Sequence, residues 1–153
     1  MDLLNLPAFP FKLRELKGRK QIFDIFRKKY VALNPEEWVR QHFLAYLIQH
    51  RGYPAGLIAV EASLKYNSLQ KRADAIVYGK QGKALLIIEC KAPEIKLTQD
   101  TFDQLARYNF AFGVNHLVVT NGLDHYCCAR KGHGTDWNFL DEVPAFEELD
   151  PEA

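Results

Sequence analysis

Two acidic residues and a lysine lie at the same end of a predicted β-hairpin. Residues 72–78 and 84–91 are β-rich runs, and the Gly-Lys-Gln-Gly segment between them is typical of a hairpin connection. Asp74 is near the start of the first run and Glu89 near the end of the second. Because hairpin strands are antiparallel, we expect the two carboxylates at one end of the pair. Side chains alternate along a strand, so Lys91 should share the face of Glu89.

Carboxylates beside a buried hairpin cost free energy unless a partner compensates their charge, and a divalent cation would do so. Mg²⁺ prefers oxygen ligands and retains several waters. Asp74 and Glu89 would each supply a carboxylate oxygen, and Cys90 a main-chain carbonyl. Lys91 would lie beside the activated water, which makes phosphodiester hydrolysis the natural reaction. The alternative for each residue alone is a solvated ion pair of small energetic effect.

Composition indicates one globular domain in a chain of 153 residues, of which 48% are hydrophobic and 25% charged. The formal net charge of +1 conceals an asymmetry. Residues 1–135 contain all 20 Lys and Arg residues and 12 acidic ones, whereas residues 136–153 contain seven acidic residues. We therefore interpret 1–135 as a single domain with an N-terminal arm, and 136–153 as an acidic tail. The basic surplus is compatible with a polyanionic partner, and equally with an ordinary mixed surface.

The chain has no apolar run of membrane-spanning length and no signal-peptide pattern, so we expect a cytoplasmic protein. Three cysteines do not form a disulfide framework. A zinc site at His125, Cys127, Cys128 and His133 is disfavoured, because adjacent cysteines rarely bind one metal and no paired C-x-x-C spacing exists.

Two helices flank the predicted hairpin. Asn34 is a suitable cap for a helix ending near residue 50, followed by Pro35 and by Glu37 three residues after the cap. On local grounds Glu37 is a capping acid more readily than a ligand. A second helix should run from a cap at Thr98 to residue 110, with two polar residues four apart on one side, Gln104 and Tyr108.

The remaining apolar runs predict strands at 21–26, 28–33, 57–62, 117–120, 124–129 and 137–139. We expect an irregular arm at 1–18, a loop or frayed strand edge at 63–71, and a basic turn at 27–29 that is solvated or contacts phosphate. The order of elements gives an α/β fold, with a mixed sheet covered by helices on both faces.

Four segments together resemble the PD-(D/E)xK nuclease superfamily, and more closely the N-terminal domain of type I restriction enzyme R subunits. Residues 34–41 resemble the first helix of that domain, and 72–74 its first acidic strand. Glu89-Cys90-Lys91 resembles the (D/E)xK motif, and 104–108 the Q-x-x-x-Y motif of the RecB-like branch. The resemblance covers about residues 20–130.

The resemblance implies a restriction-endonuclease-like fold and a Mg²⁺- or Mn²⁺-dependent endonuclease that acts on DNA. It assigns Asp74 and Glu89 as metal ligands, Lys91 as the catalytic lysine and Glu37 as an active-site acid. Its nucleic-acid contacts would be Gln104, Tyr108 and Arg72. The chain has no G-x-x-x-x-G-K-[ST] motif, so we expect no ATP-driven motor here. We expect the protein to act alone, as a homodimer or together with protein partners. The alternative is a non-catalytic nucleic-acid-binding or assembly module.

Overall fold

The computed structural model describes residues 1, 3–134 and 136–151. Two sheets and three α-helices make up the fold of these residues. In chain order the elements are β1 (Leu13–Leu16), β2 (Arg19–Asp24), β3 (Lys29–Ala32), α1 (Pro35–His50), a 3-10 turn (Ala55–Leu57), β4 (Ile58–Tyr66), β5 (Leu69–Tyr78), β6 (Ala84–Cys90), α2 (Gln99–Phe110), β7 (His116–Thr120), β8 (His125–Arg130), β9 (Trp137–Leu140) and α3 (Phe146–Leu149).

The larger sheet has six strands in the order β4-β5-β6-β7-β8-β9. Its neighbours pair antiparallel except β6 and β7, which are parallel and are connected through α2. A parallel pair needs such a crossover, because a tight turn joins two strands only in antiparallel orientation. The predicted α/β fold with a mixed central sheet of the restriction-endonuclease type is confirmed.

Alternate residues of β6 pack on opposite sides of this sheet, as strand geometry requires. Leu86, Ile88 and Cys90 belong to a buried cluster that includes the apolar side of α1. Ile87 belongs to the cluster around α2. Helices therefore cover both faces, which we call the α1 face and the α2 face.

The N-terminal strands form a sheet of their own, in the order β1-β2-β3. The strands expected at 21–26 and 28–33 exist as β2 and β3, and they lie outside the six-stranded sheet. The arm expected at 1–18 is also not wholly irregular, because it contains β1, whose four residues are all exposed. Without a buried side, β1 has no apolar alternation that a sequence could show, and its backbone pairing with β2 stabilises it.

Residues 63–71 were expected to form a loop or a frayed strand edge; the loop is wrong, because β4 continues to Tyr66 and β5 starts at Leu69. Asn67 and Ser68 form a two-residue connection in which Asn67 has a φ of 56°. Asparagine tolerates this left-handed conformation, which tight hairpin turns require. Most polar residues there belong to the exposed end of a long hairpin, whereas Lys71 is buried.

The segment interpreted as an acidic tail contains β9 and α3. Val143, Phe146 and Leu149 are buried in the cluster beneath α1. Tyr53 Oη donates a hydrogen bond of 2.8 Å to the carbonyl of Pro144. These apolar residues hold the acidic segment against the domain.

Helix α1 begins as the sequence predicts. The Asn34 side chain accepts a 2.8 Å hydrogen bond from the Glu37 amide, and Pro35 is the first helical residue. We expect Asn34→Ala to lower the free energy of unfolding by about 1 kcal/mol in urea denaturation, because one helix-end amide loses its partner. Asn34→Asp, which keeps a capping oxygen, should change it little; equal losses in both variants would contradict a capping role.

Candidate active site

The two predicted acidic residues meet where the β5–β6 pairing ends. Ala75 pairs with Ile88, and the next residues outward on the two strands are Asp74 and Glu89. Asp74 Oδ2 accepts a hydrogen bond of 2.7 Å from the amide of Cys90, the last residue of β6. The expectation that antiparallel pairing brings the two acids to the same end of the hairpin is confirmed.

Glu89 lies on the α2 side and is held by a buried lysine. Its Oε1 is 3.0 Å from Lys71 Nζ, and the same ammonium group donates to Asn109 Oδ1 on α2. Lys71 is only 7% exposed, and the Asn109 amide group is itself fixed by a 2.8 Å bond to the Leu105 carbonyl. Burial raises the pKa of the Glu89 carboxyl, the Lys71 charge opposes that shift, and the Asp74 charge adds to it.

Lys91 follows the last residue of β6 and is partly buried. Its amide donates a 2.8 Å hydrogen bond to the Thr120 carbonyl, which extends the pairing with β7 and fixes the backbone at this position. The Lys91 charge also acts to lower the pKa of Glu89. The catalytic role of the Lys91 ammonium group stays a prediction.

Cys90 lies on the α1 face, opposite Glu89. Burial raises the pKa of its thiol well above the ordinary value, with a further contribution from the Asp74 charge. The side chain is therefore a neutral thiol in the core. Any donor role at this position falls to the main-chain carbonyl.

Glu37 is buried and carries a full set of partners within the chain. Its Oε1 is 2.7 Å from an Arg27 guanidinium nitrogen and also bonds Arg40. Its Oε2 accepts from Arg40 Nε at 3.1 Å and from Gln41 Nε2 at 3.0 Å. Both oxygens are thus engaged, and the side chain binds arginines rather than the start of its own helix.

Asp24 extends this ion-paired group. It is completely buried, and its carboxylate bonds the Arg27 side chain and the Phe26 amide, the latter at 2.7 Å. Arg27 was expected in a solvated basic turn or at a phosphate. Its side chain is 21% exposed and is ion-paired, whereas the neighbouring Lys28 and Lys29 are exposed.

The α1 cleft is a depression of about 130 Å³ beside these charges. It opens between the start of α1, the middle parts of β4 and β5, and the end of β6. Its lining is mostly polar and consists of Asn34, Glu36, Glu37, Arg40, Glu61, Asp74 and Cys90. The cleft therefore brings Asp74 and Glu37 together, while Glu89 lies next to Asp74 but contacts Lys71.

The three predicted nucleic-acid contacts are all exposed. Gln104 and Tyr108 lie on the outer side of α2. Tyr108 is 53% exposed, and the centroid of its ring is 5.2 Å from Lys71 Nζ. Arg72 lies on β5 with 68% of its side chain exposed, and one guanidinium nitrogen is 3.2 Å from Glu61 Oε2. All three remain accessible to a large ligand, and their roles stay predictions.

The zinc alternative does not fit the structure. Cys127 and Cys128 lie in clusters on opposite faces of the sheet. His125 already bonds Thr120 Oγ1 at 2.7 Å and the Asn5 carbonyl at 2.9 Å. No group of three or more His, Cys, Asp or Glu side chains suited to a metal occurs in the part of the chain that the structure describes.

The oxygen donors of Asp74 and Glu89 are of the chemical kind that a hard cation prefers. Asp74 and Glu89 use one oxygen each in the contacts above, which leaves Asp74 Oδ1 and Glu89 Oε2 as carboxylate donors. The Cys90 carbonyl is a third oxygen, with no soft ligand required. Mg²⁺ is commonly bound by one or two carboxylates and completes its shell with water and substrate oxygens, so such a small set suffices.

Sequence reasoning missed four members of this region: Asp24, Glu61, Lys71 and Asn109. Glu61, Lys71 and Asn109 have partners that are distant in the chain, whereas Asp24 bonds Phe26 and Arg27 nearby but has no polar pattern around it that marks a buried acid. Arg40 could have been found, because it follows Glu37 by three residues and such pairs are neighbours on a helix. Lys71 gave a weak signal at most, as a charged residue two positions from the buried Ala73.

Comparison with known families agrees with this geometry. The family model of the type I restriction enzyme R protein N terminus matches residues 35–144. The chain belongs to this family. The match begins at α1, contains the whole six-stranded sheet, and includes the candidate residues Glu37, Asp74, Glu89 and Lys91. A search of the curated proteins returned no match.

As a member of the type I R N-terminus family, the chain is related to a restriction enzyme subunit, and a nuclease-like role is in keeping with that membership. None of the described helices has the length and apolar character needed to cross a membrane.

Proposed function

We propose that the chain is a metal-dependent endonuclease domain that hydrolyses phosphodiester bonds of DNA. The observation that carries this is the end of the β5–β6 pairing, where Asp74 and Glu89 occupy facing positions on the two strands and Lys91 directly follows β6. Membership of the type I R N-terminus family supports DNA as substrate and other subunits as partners. We further propose that it acts in the cytoplasm, and that Gln104, Tyr108 and Arg72 contact DNA.

The residues of the chain would divide the chemistry as follows. Asp74, Glu89 and the Cys90 carbonyl would hold a Mg²⁺ or Mn²⁺ ion, which supplies Lewis acidity and a water of lowered pKa when bound. The ammonium group of Lys91 would stabilise the negative charge that develops on the phosphate. Glu37 contributes indirectly, because it holds Arg40 at the α1 cleft.

Cleavage of supercoiled plasmid tests the proposal. We expect nicking or linearisation with Mg²⁺ or Mn²⁺ that EDTA abolishes, and its loss in Asp74→Asn and in Lys91→Ala. Asp141→Asn makes the same change at an exposed carboxylate on the β9 side and should keep the activity. Cleavage that persists in both site variants, or that is absent with every metal and substrate form, would refute a nuclease site here.

One observation favours the second candidate, a non-catalytic DNA-binding module. The acids Glu37 and Glu89 are already neutralised by Arg27, Arg40 and Lys71. Such a module would bind DNA with a strong salt dependence and without regard to divalent metal. Isothermal calorimetry with Mn²⁺ separates the two, because only the nuclease site predicts a heat of binding that Asp74→Asn removes.

A further inference from the structure

Three arginines from different parts of the chain converge on one carboxylate, that of Glu61 on β4. Arg27 and Arg72 each place a guanidinium nitrogen near Oε2, at 3.3 and 3.2 Å. Arg40 is 3.5 Å from Oε1. Burial opposes ionisation, but the Arg40, Arg27 and Arg72 charges outweigh it and lower the pKa of Glu61. Glu61 is therefore an anion seated among three cations.

The Glu61 carboxylate is at the rim of the α1 cleft rather than inside the protein. Its side chain is 40% exposed, whereas that of Arg40 is 8% exposed. Glu37 and Asp24 hold Arg27 and Arg40 from the inner side. The inner acids thus fix the guanidinium groups of Arg27 and Arg40, and Glu61 contacts both groups from the solvent side.

The backbone at Glu61 is unusual for a strand. Its φ is 47°, although Val60 and Ala62 on either side pair regularly with β5. A residue with a Cβ atom seldom adopts this left-handed conformation, and inside a strand it indicates a constraint from the surroundings. The carboxylate of Glu61 contacts the arginines while the backbone at this residue departs from regular strand geometry.

Guanidinium groups bind carboxylates and phosphates with the same paired geometry. Arg40 and Glu61 line the same cleft as Asp74, and Arg27 and Arg72 reach it through their ion pairs with Glu61. We propose that Glu61 occupies a phosphate-binding site formed by Arg27, Arg40 and Arg72, and that a backbone phosphate of bound nucleic acid displaces it. The identity of the ligand as nucleic acid rests on the proposed function; the existence of the oxyanion site does not.

Binding of a short fluorescent DNA duplex, measured by anisotropy in EDTA, tests the displacement without cleavage. We expect Glu61→Gln to bind about three- to tenfold more tightly than wild type at low salt, because one competing negative charge is removed within the screening length. Its logarithmic salt slope should steepen by about 0.9, the value for one further phosphate contact. Glu15→Gln on β1 makes the same change of net charge far along the chain and should change the affinity less than about twofold. Equal effects of the two substitutions would overturn the proposal.

Two further variants secure the result. Glu61→Gly removes the carboxylate and also suits the positive φ, so it keeps the fold if Glu61→Gln does not, and it should tighten binding to the same extent. Arg72→Gln combined with Glu61→Gln should lose most of the gain, because Arg72 is the most exposed of the three arginines. A double variant that retains the full gain would exclude Arg72 from the site.

Inorganic phosphate separates this inference from the proposed function. In NMR spectra, phosphate should shift the Nε–Hε signals of Arg27 and Arg40 in Glu61→Gln at lower concentration than in wild type. If this occurs while no variant binds DNA, the oxyanion site stands and the DNA function fails. If phosphate leaves these signals unchanged in Glu61→Gln, the site itself is refuted.

Discussion

Glu37→Ala is expected to lower the free energy of unfolding by about 3–5 kcal/mol, the range for removing one partner of a buried ion pair. The substitution leaves Arg40 without its closest carboxylate while its side chain is 8% exposed. Arg27 loses one of its acids as well, and Gln41 loses an acceptor. Urea denaturation followed by circular dichroism measures the effect.

Glu36→Ala is the matched control, because Glu36 is also an acid in the first turn of α1 but is exposed. It should cost less than about 1 kcal/mol, the size of a helix-dipole interaction at the surface. If Glu37→Ala were no more costly than Glu36→Ala, the ion-paired group would not be a stabilising unit. A large difference would mean that lost cleavage in a Glu37 variant cannot by itself establish a catalytic role for this residue.

The parts of the fold that could be predicted are those with local signals. The Asn34 cap, the Thr98 cap and the hairpin around residues 79–83 each depend on neighbours in the chain, and the structure contains all three. The adjacency of Asp74 and Glu89 followed from strand direction alone. Antiparallel pairing fixes which ends meet without any knowledge of the rest of the fold.

The parts that could not be predicted depend on long-range contacts. Lys71 bonds Asn109, 38 residues away, and nothing in either segment specifies the other. Glu61 and Arg40 are 21 residues apart and meet only because β4 lies beside the start of α1. The separate N-terminal sheet escaped prediction for a similar reason, since strand runs do not reveal which sheet they join.

The charges of the site therefore form two groups on opposite sides of one hairpin. On the α1 side, Glu37 and Glu61 are neutralised by arginines; on the α2 side, Glu89 is neutralised by Lys71. Asp74 bonds the Cys90 amide, and no Lys or Arg side chain in the described part of the chain forms an ion pair with it. Metal binding at Asp74 and Glu89 thus depends on whether a metal ion can replace the Lys71 ammonium group as the partner of Glu89.

Lys71→Met addresses this exchange directly, and we expect it to lower the free energy of unfolding at pH 7 by about 3–5 kcal/mol. Lys71 and Glu89 have side chains 3% and 14% exposed, so the substitution leaves a carboxylate in a desolvated position without its cation. Lys65→Met, at an exposed lysine of β4, is the matched control and should have a small effect. Urea denaturation at several pH values provides the measurement.

The pH dependence of Lys71→Met has a definite sign. Burial already raises the pKa of Glu89 in the folded protein, so the folded state binds this proton more tightly than the unfolded state. Stability from this group is therefore present at low pH and is lost as the pH rises from the ordinary Glu value through the folded pKa. Loss of the Lys71 charge raises that pKa further, so the deficit of Lys71→Met should be smallest near pH 4 and grow toward neutrality. A deficit independent of pH would show that Lys71 acts through packing.

Added Mn²⁺ completes the test at neutral pH. A ligand that binds only the folded state stabilises it by a free energy that increases with the logarithm of the ligand's affinity. If Glu89 is a metal ligand, Mn²⁺ should stabilise Lys71→Met more than wild type, because in wild type the cation must compete with the ammonium group. Asp74→Asn in the same background should remove this gain. Equal stabilisation of Lys71→Met and wild type would mean that Glu89 has a structural role, as the ion-pair partner of Lys71. A cation bound at Asp74 would then have ligands other than Glu89.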